Sequence, residues 1–547
     1  TFPAGATLAA AEQVCQDGAL PAEAVLPAIF GLVEKSFLTV AEDDEPRYRM
    51  LETIRAYCAE RLAETGEEDQ VRLAFAGYCL RLAEAGDPML RTAGQQTWMR
   101  RLTAEQDNMY AALRWAVDRR DVALALRFGQ ALSWFWLLRG QRREAGTMAR
   151  EILAISTPAS GTERDIAVVH ARAVCALTMV NFSWDLTAVK EPLADVEYLI
   201  TTGTGTGGEA DDGRPLHPLV IVGAAMLALY EKQDPDRALG LLAAHFDSPD
   251  PWIRAGARLM CAFFSMSLGR LDDVTRWCAE GLAGFEALGD RWGTALACAG
   301  QAELAMLDGD HARAIAALER AVELSGALTD WEDTAQMYAT LAKSRSRMGD
   351  YDGALADMAR AQRAARGQGE TESDLWISYI QAELAWLRGD LAECARISSE
   401  LDAQMASKGS PMIRSFRAQA INRAALASIR TGNVTGGRAR LAEALRLAAD
   451  SQDLAAVAIV MDGIAAAMLW TGTSRSGAER AAVLLGAAHS MRGAFDHSSL
   501  DAPEARDTAS QRLGEADFDA AYQRGRSLPR EKALALAEGW FQPSASA

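Results

Sequence analysis

Histidine, lysine and paired cysteine are scarce in this chain of 547 residues. The six histidines (His170, His217, His245, His311, His489 and His497) lie far apart, and none sits in a nucleophile motif or beside a cysteine pair. The eight cysteines include no C-x-x-C, so neither a zinc site nor a redox pair is expected. Most of them fall beside alanine, leucine or aromatic residues in helical stretches, as buried, reduced thiols of a cytoplasmic protein do. Arginine and lysine total 56 against 74 acids, a net charge of −18 with no long basic stripe. That balance repels a phosphate backbone, and direct contact with nucleic acid is not expected here. No run of eighteen apolar residues is present, so no membrane span is expected, and no signal peptide is visible. G-x-x-x-x-G-K-[ST] is missing, and with it the loop and lysine that cradle a nucleotide's phosphates. Carboxylate pairs occur only at helix-surface spacing, so no catalytic group, cofactor or metal is assigned and the chain is not expected to be an enzyme. The stretch TTGTGTGGEADDG at 201–213 lacks a preceding strand and a lysine, and reads as a flexible loop between helices.

What the chain does have is repetition. QAELAMLDGD at 301–310 returns as QAELAWLRGD at 381–390, with LAKSRSRMGD at 341–350 between them. Gly269, Gly309, Gly349 and Gly389 mark a period of forty, and Gly432 and Gly472 continue it. A fixed period of this size signals a solenoid. Within a repeat, apolar residues at three- and four-residue spacing predict a first helix. The glycine then suits the left-handed position that ends it, and Asp310, Asp350 or Asp390 suits the N-cap of the next. Small residues follow on the second helix, such as Ala314, Leu318 and Ala321, or Ala354, Met358 and Ala361. A further copy is expected at Gly140 and degenerate ones near Trp184 and Asp234. The Gly-Asp-x-x-x-Ala core resembles the tetratricopeptide repeat, whose unit of 34 is shorter than the one here. The expected fold is all-α: an α-solenoid of antiparallel helix pairs.

The N-terminal piece is different. A helix over 22–35, two β-prone runs around Asp43-Asp44-Glu45-Pro46 and a helix at ETIRAYCAERLAETGE predict a small winged-helix unit. The expected organisation is a winged helix over 1–66, a helical connector over 67–120, the repeat superhelix over 121–490 and a helical cap with tail over 491–547. The chain begins at Thr1 in mid-pattern, as a piece of a longer protein would.

Three segments resemble the large multidomain transcriptional regulators of actinobacteria, the Streptomyces antibiotic regulatory protein type and the related ATP-dependent LuxR type. They are LVEKSFLTV…YRMLETIRAYCAERLAETGE at 32–67, WMRRLTAEQDNMYAALRWAV at 98–117, and the tail from Ala478. The resemblance implies a winged helix and a tetratricopeptide sensor that follow a nucleotide-binding and a DNA-binding domain. ATP or ADP would be held only by that upstream part.

Curvature gives a repeat array a concave face lined by its first helices. Six residues before each turn glycine stand Phe263, Glu303, Lys343, Glu383, Leu426 and Ala466, so neighbouring repeats alternate in charge at Glu303, Lys343 and Glu383. Trp386, Tyr379, Trp376, Gln336, Gln419, Asn422 and Asp462 are expected to face the same way. Aromatic anchors with a few fixed polar groups suit a small-molecule effector or an extended peptide. The same residues also fit a surface ion ladder and inter-helix packing. A third cluster, Trp134, Trp136, Arg139 and Arg142, has the composition of an interaction hot spot, with one tryptophan expected in the core. Two functions fit: the effector-binding, autoinhibitory region of a regulator of secondary-metabolite genes, or a constitutive protein-interaction scaffold.

Overall fold

A computed structural model describes residues 1–541 except 17–19, 42–44, 157–164, 184–189, 202–215, 232–233, 327–332, 367–371, 407–410 and 452. The turn expected near Trp184 and nearly all of the glycine-rich stretch lie outside the described residues. Two compact units form, one over Thr1–Ser183 and Thr187–Leu199, the other over Ile200–Ala547 with Trp184–Leu186.

The first unit opens with α1 (Leu8–Cys15) and α2 (Ala22–Glu34), then β1 (Leu38–Ala41) and β2 (Arg47–Met50), then α3 (Glu52–Thr65). Thr7 caps α1 by accepting from the Ala10 amide at 3.2 Å. The strands pair antiparallel from Leu38↔Met50 to Ala41↔Arg47, and Ala6 bridges to Tyr48. This is the expected winged helix. Helices follow, among them α4 (Val122–Arg139) and α5 (Arg142–Ile155), joined through Gly140 at φ +63°. Ala145 is fully buried against that turn's first helix, so the copy expected there is present.

The second unit is an α-solenoid of the tetratricopeptide kind. Its helix pairs among the described residues are Pro251–Ser267 with Leu271–Leu288, Arg291–Leu307 with His311–Gly326, and Asp333–Arg347 with Tyr351–Ala365. Three more follow: Glu372–Leu387 with Leu391–Met405, Pro411–Arg430 with Val434–Ala449, and Leu454–Thr471 with Arg475–Arg492. We number these repeats 1 to 6. First and second helices of 17 and 16 residues in repeat 2 account for the long period.

One device joins the helices of repeats 2 to 5. Gly309, Gly349, Gly389 and Gly432 take φ of +76°, +81°, +78° and +101°. The next side chain then caps: Asp310, Asp350, Asp390 and Asn433 accept amide hydrogens at 3.0, 2.9, 3.1 and 3.0 Å. Repeat 6 departs from it. Gly472 is extended at φ −139° and Ser474 supplies the cap instead, so the glycine there is not conformationally required. On the second helices Ala314, Leu318 and Ala321, and Ala354 and Ala361, are buried at 1% exposure or less, as the small-residue pattern expects.

Six cysteines are buried as expected, but Cys15 and Cys58 are exposed, because both lie on the lightly covered winged helix. The first helix of repeat 6, Leu454–Thr471, does reach the length and composition of a membrane span. It is instead a core helix, with Ala456, Val460, Ile464 and Ala467 fully buried.

The two kinds of turn glycine give a paired prediction. At Gly389 an added Cβ meets nothing within 4 Å, so Gly389→Ala tests backbone strain alone. Its midpoint of urea unfolding should correspond to a loss of about 1–2 kcal/mol. Gly472→Ala should cost clearly less, and equal losses would show that handedness is not what the glycine supplies.

Candidate functional site: the inner face of the repeats

Of the side chains six before each turn glycine, Glu303, Lys343 and Glu383 do come together, but only part of the expected ladder closes. Lys343 Nζ lies 3.0 Å from Glu383 Oε2, and Glu383 is 4% exposed. Glu303 remains open to solvent. Burial opposes the charge on Lys343, yet Glu383, Asp496 and Glu303 outweigh it and hold its pKa above the ordinary value.

Deeper along the face the charges are fully enclosed. Arg423, 3% exposed, binds Asp501 at 2.9 Å and approaches Glu383 Oε1 at 3.9 Å, and its guanidinium lies over the Trp386 ring at 5.0 Å. Arg492 pairs with Asp462, both buried, from the two helices of repeat 6. Asp462 has its pKa raised to about 6, first by burial, with Asp496 and Asp501 adding to it against Arg492. Asp501 is raised in the same sense, by burial first. The face thus gathers Glu303, Glu383, Asp462, Asp496 and Asp501 around Lys343, Arg423 and Arg492. The carboxylates outnumber the cations, and that excess favours proton uptake.

The expected aromatic anchors divide into two packed groups. Trp376 stacks on Tyr379 and Phe416 with ring centres 5.7 and 5.8 Å apart, and its Nε1 donates to Thr340 Oγ1 at 3.1 Å. Tyr379 is buried, and burial drives its phenol well above the usual pKa. Trp386 meets Trp470 at 6.2 Å. The first group joins the first helices of repeats 4 and 5, and the Trp386–Trp470 pair joins those of repeats 4 and 6. Gln336 Nε2 donates to Ser373 Oγ at 3.4 Å, which links repeats 3 and 4. Gln419 is half-buried, and Asn422 is buried against Gly463, where a Cβ would lie 2.3 Å from its Oδ1.

The hot spot expected at 134–142 is not a surface. Trp134 and Trp136 are 2% and 0% exposed, Trp136 Nε1 donates to Tyr110 Oη at 2.9 Å, and Arg91 lies over Trp134 at 5.9 Å. Helix α4 is enclosed by neighbours on several sides, so both tryptophans are core. Arg139 is half-buried, and the Arg142 side chain lies outside the described residues.

Sequence reasoning missed Arg423, Arg492, Asp496 and Asp501. The available signal was a charge inside an otherwise apolar helix, as at Asp462, since such a residue survives burial only with a partner. It also missed the clamp under the winged helix. Arg47 pairs with Glu105 and donates to the Gly5 carbonyl at 3.0 Å. Asn108 donates to that carbonyl at 3.0 Å and accepts from the Ala4 amide at 3.0 Å. The Leu102-x-x-Glu105-x-Asp107-Asn108 core is therefore a buried seat for the chain's start.

The winged helix has a second notable surface. In this topology the helix before the hairpin is the one that enters a DNA groove. Here that helix is α2, AEAVLPAIFGLVE, which has two glutamates and no cation. Phe30 and Leu32 are 55% and 37% exposed on it, with Phe37 and Val40 at 44% and 46% on the hairpin side.

Comparison with known proteins agrees with this architecture. Residues 4–63 match the winged helix-turn-helix domain family. Proteins of Mycobacterium tuberculosis and Mycobacterium bovis named as HTH-type transcriptional regulators, an inferred role, are 26% identical over 597 aligned residues. The match takes in 98% of this chain and 64% of theirs, so the chain spans just under two thirds of these curated relatives' length. Among solved structures, the human IFIT1 dimer with PPP-AAAA has a TM-score of 0.40 at 13% identity, over 74% of this chain and 89% of that one. A STAND protein with a tetratricopeptide repeat sensor from Pyrococcus horikoshii has a TM-score of 0.37 at 13% identity, over 92% and 61%.

Arg423→Met should leave Asp501 buried without its cation and cost about 3–5 kcal/mol in the unfolding midpoint. The exposed Arg396→Met should leave that midpoint unmoved. Asp462 gives a pH prediction with the opposite sign to an ordinary salt-bridged aspartate. Its folded pKa lies above the unfolded value of 3.8, so its contribution grows as pH falls through 6 and is complete below the unfolded value. Between pH 7.5 and 5 the wild type should gain about 1–2 kcal/mol relative to Asp462→Asn.

Proposed function

We propose that this chain is the regulatory region of a bacterial multidomain transcriptional regulator of the Streptomyces antibiotic regulatory or LuxR type. The inner face of its repeats receives an effector, and the winged helix passes the result to nucleotide-binding and DNA-binding parts upstream. The region works in the cytoplasm, catalyses nothing, holds no cofactor of its own and touches no DNA. Secondary-metabolite genes are the proposed targets. The observation that carries this reading is α2: it stands where a DNA-reading helix would, yet it offers exposed Phe30 and Leu32 and no cation. Such a surface favours a protein neighbour over a phosphate backbone. Similarity to the mycobacterial regulators supports the transcriptional role. An effector that favours one arrangement over another shifts their populations only by its difference in affinity.

Two measurements test this. The purified chain should not retard duplex DNA at micromolar concentration and 0.15 M salt; saturable binding there would overturn the assignment. In the source cell, Phe30→Asp in the full-length protein should abolish the regulator-dependent changes in transcript profile. Phe30 is more than half exposed, so the substitution should leave the thermal unfolding midpoint within a degree or two. A profile identical to that of the parent would sink the regulatory reading.

A further inference from the structure

The segment between repeat 6 and the C-terminal helices has no regular secondary structure, and it runs along the row of inter-helix turns. At Gly493 it meets repeat 1, where a Cβ would fall 2.3 Å from the Gly269 carbonyl oxygen. At His497 its amide donates to the Leu307 carbonyl of repeat 2 at 3.0 Å. At Ser499 its carbonyl accepts from Arg347 of repeat 3 at 3.5 Å, and at Asp501 it binds Arg423 of repeat 5. Contacts along the segment therefore advance along the array, on repeats 1, 2, 3 and 5 in order, with a backbone hydrogen bond and a carboxylate on a buried arginine among them. An extended peptide laid across a repeat array would be held this way.

We infer that this face is a binding groove for an extended acidic peptide, and that Gly493–Asp501 occupies it in cis. Three observations specify the occupant. The cations that face the segment, Lys343 and Arg347 of repeat 3 and Arg423 of repeat 5, select carboxylates. Asp496 Oδ1 accepts from the Ser498 and Ser499 amides at 2.9 and 3.0 Å, so the segment is already folded into the shape in which it binds. The fit is also incomplete. Beside His497 a depression of about 720 Å³ is lined by His311, Ser346, Arg347 and Tyr351. The Ser346 hydroxyl and His311 Nδ1 are buried there with no hydrogen-bond partner. A peptide with an acidic side chain at that point would use the groups that the segment leaves idle. Displacement costs the incoming peptide the contacts of the segment, so affinity in trans is set by how readily the segment leaves. This inference rests on the regulatory reading above, since it names the ligand class of that same face.

The test uses a fluorescent peptide of residues 493–502 (GAFDHSSLDA), followed by anisotropy against the full chain. The wild type should bind it weakly. A variant whose residues 494–501 are replaced by a glycine-serine linker of equal length should bind at least tenfold more tightly. The peptide with both aspartates changed to asparagine should lose at least tenfold of that affinity. A folded linker variant that binds no better than the wild type, or that takes the asparagine peptide equally well, overturns the inference. If the linker variant does not fold, hydrogen exchange on the wild type decides. The His497 amide should exchange at least a hundredfold faster than the Ile421 and Ile464 amides of the repeat helices, and equal protection would mean a permanent strut. Failure of the inference is separable from failure of the regulatory reading. Peptide binding with unchanged transcripts in the linker strain sinks only the latter, and altered transcripts without peptide binding sink only the former.

Discussion

A glycine held at positive φ, followed at once by a side chain that caps the next helix, is the constraint from which the second unit is built. The left-handed residue reverses the chain in the least possible length, and the cap satisfies amides that the new helix would otherwise leave open. Because Gly309-Asp310, Gly349-Asp350 and Gly389-Asp390 repeat it at the same spacing, each first helix is delivered in the same register. Glu303, Lys343 and Glu383 therefore share a face. A slip of one residue in any turn would rotate a first helix by about 100° and scatter these charges.

The inner face departs from the usual economy of a core. Four of its five carboxylates and all three cations are buried or half-buried, at a desolvation cost that packed apolar residues would not incur. What such an arrangement supplies is selectivity, because each buried ion has few acceptable partners. Arg423 takes Asp501 from one element and leans toward Glu383 on another, so the C-terminal helices can dock in one way only. The inter-repeat rings then fill the remaining volume, as Trp376, Tyr379 and Phe416 do together.

The repeats were legible because the device that makes them is local: a period, a glycine and a cap all lie within ten residues. The winged helix was legible for the same reason. Lys343 beside Glu383 could be found by counting back from the glycine, since a helix converts sequence spacing into position. The partners of Arg423 and Arg492 could not, because Asp501 and Asp462 are brought there by chain reversal, which leaves no periodic trace. The tryptophans of α4 misled for a related reason. A run such as Ser133-Trp134-Phe135-Trp136 has no polar side, and only the neighbouring helices decide that all of it is interior.

The clamp beneath the hairpin separates two boundaries that are easily taken for one. Family similarity at the N-terminus stops at residue 63, yet the buried arginine of its hairpin has its carboxylate at Glu105 and shares the Gly5 carbonyl with Asn108. The smallest piece able to fold is thus longer than the piece that evolution has copied as a module. A cut or a recombination seam at the module's edge would strand an arginine in the interior, whereas one beyond residue 108 would carry the whole seat along with it.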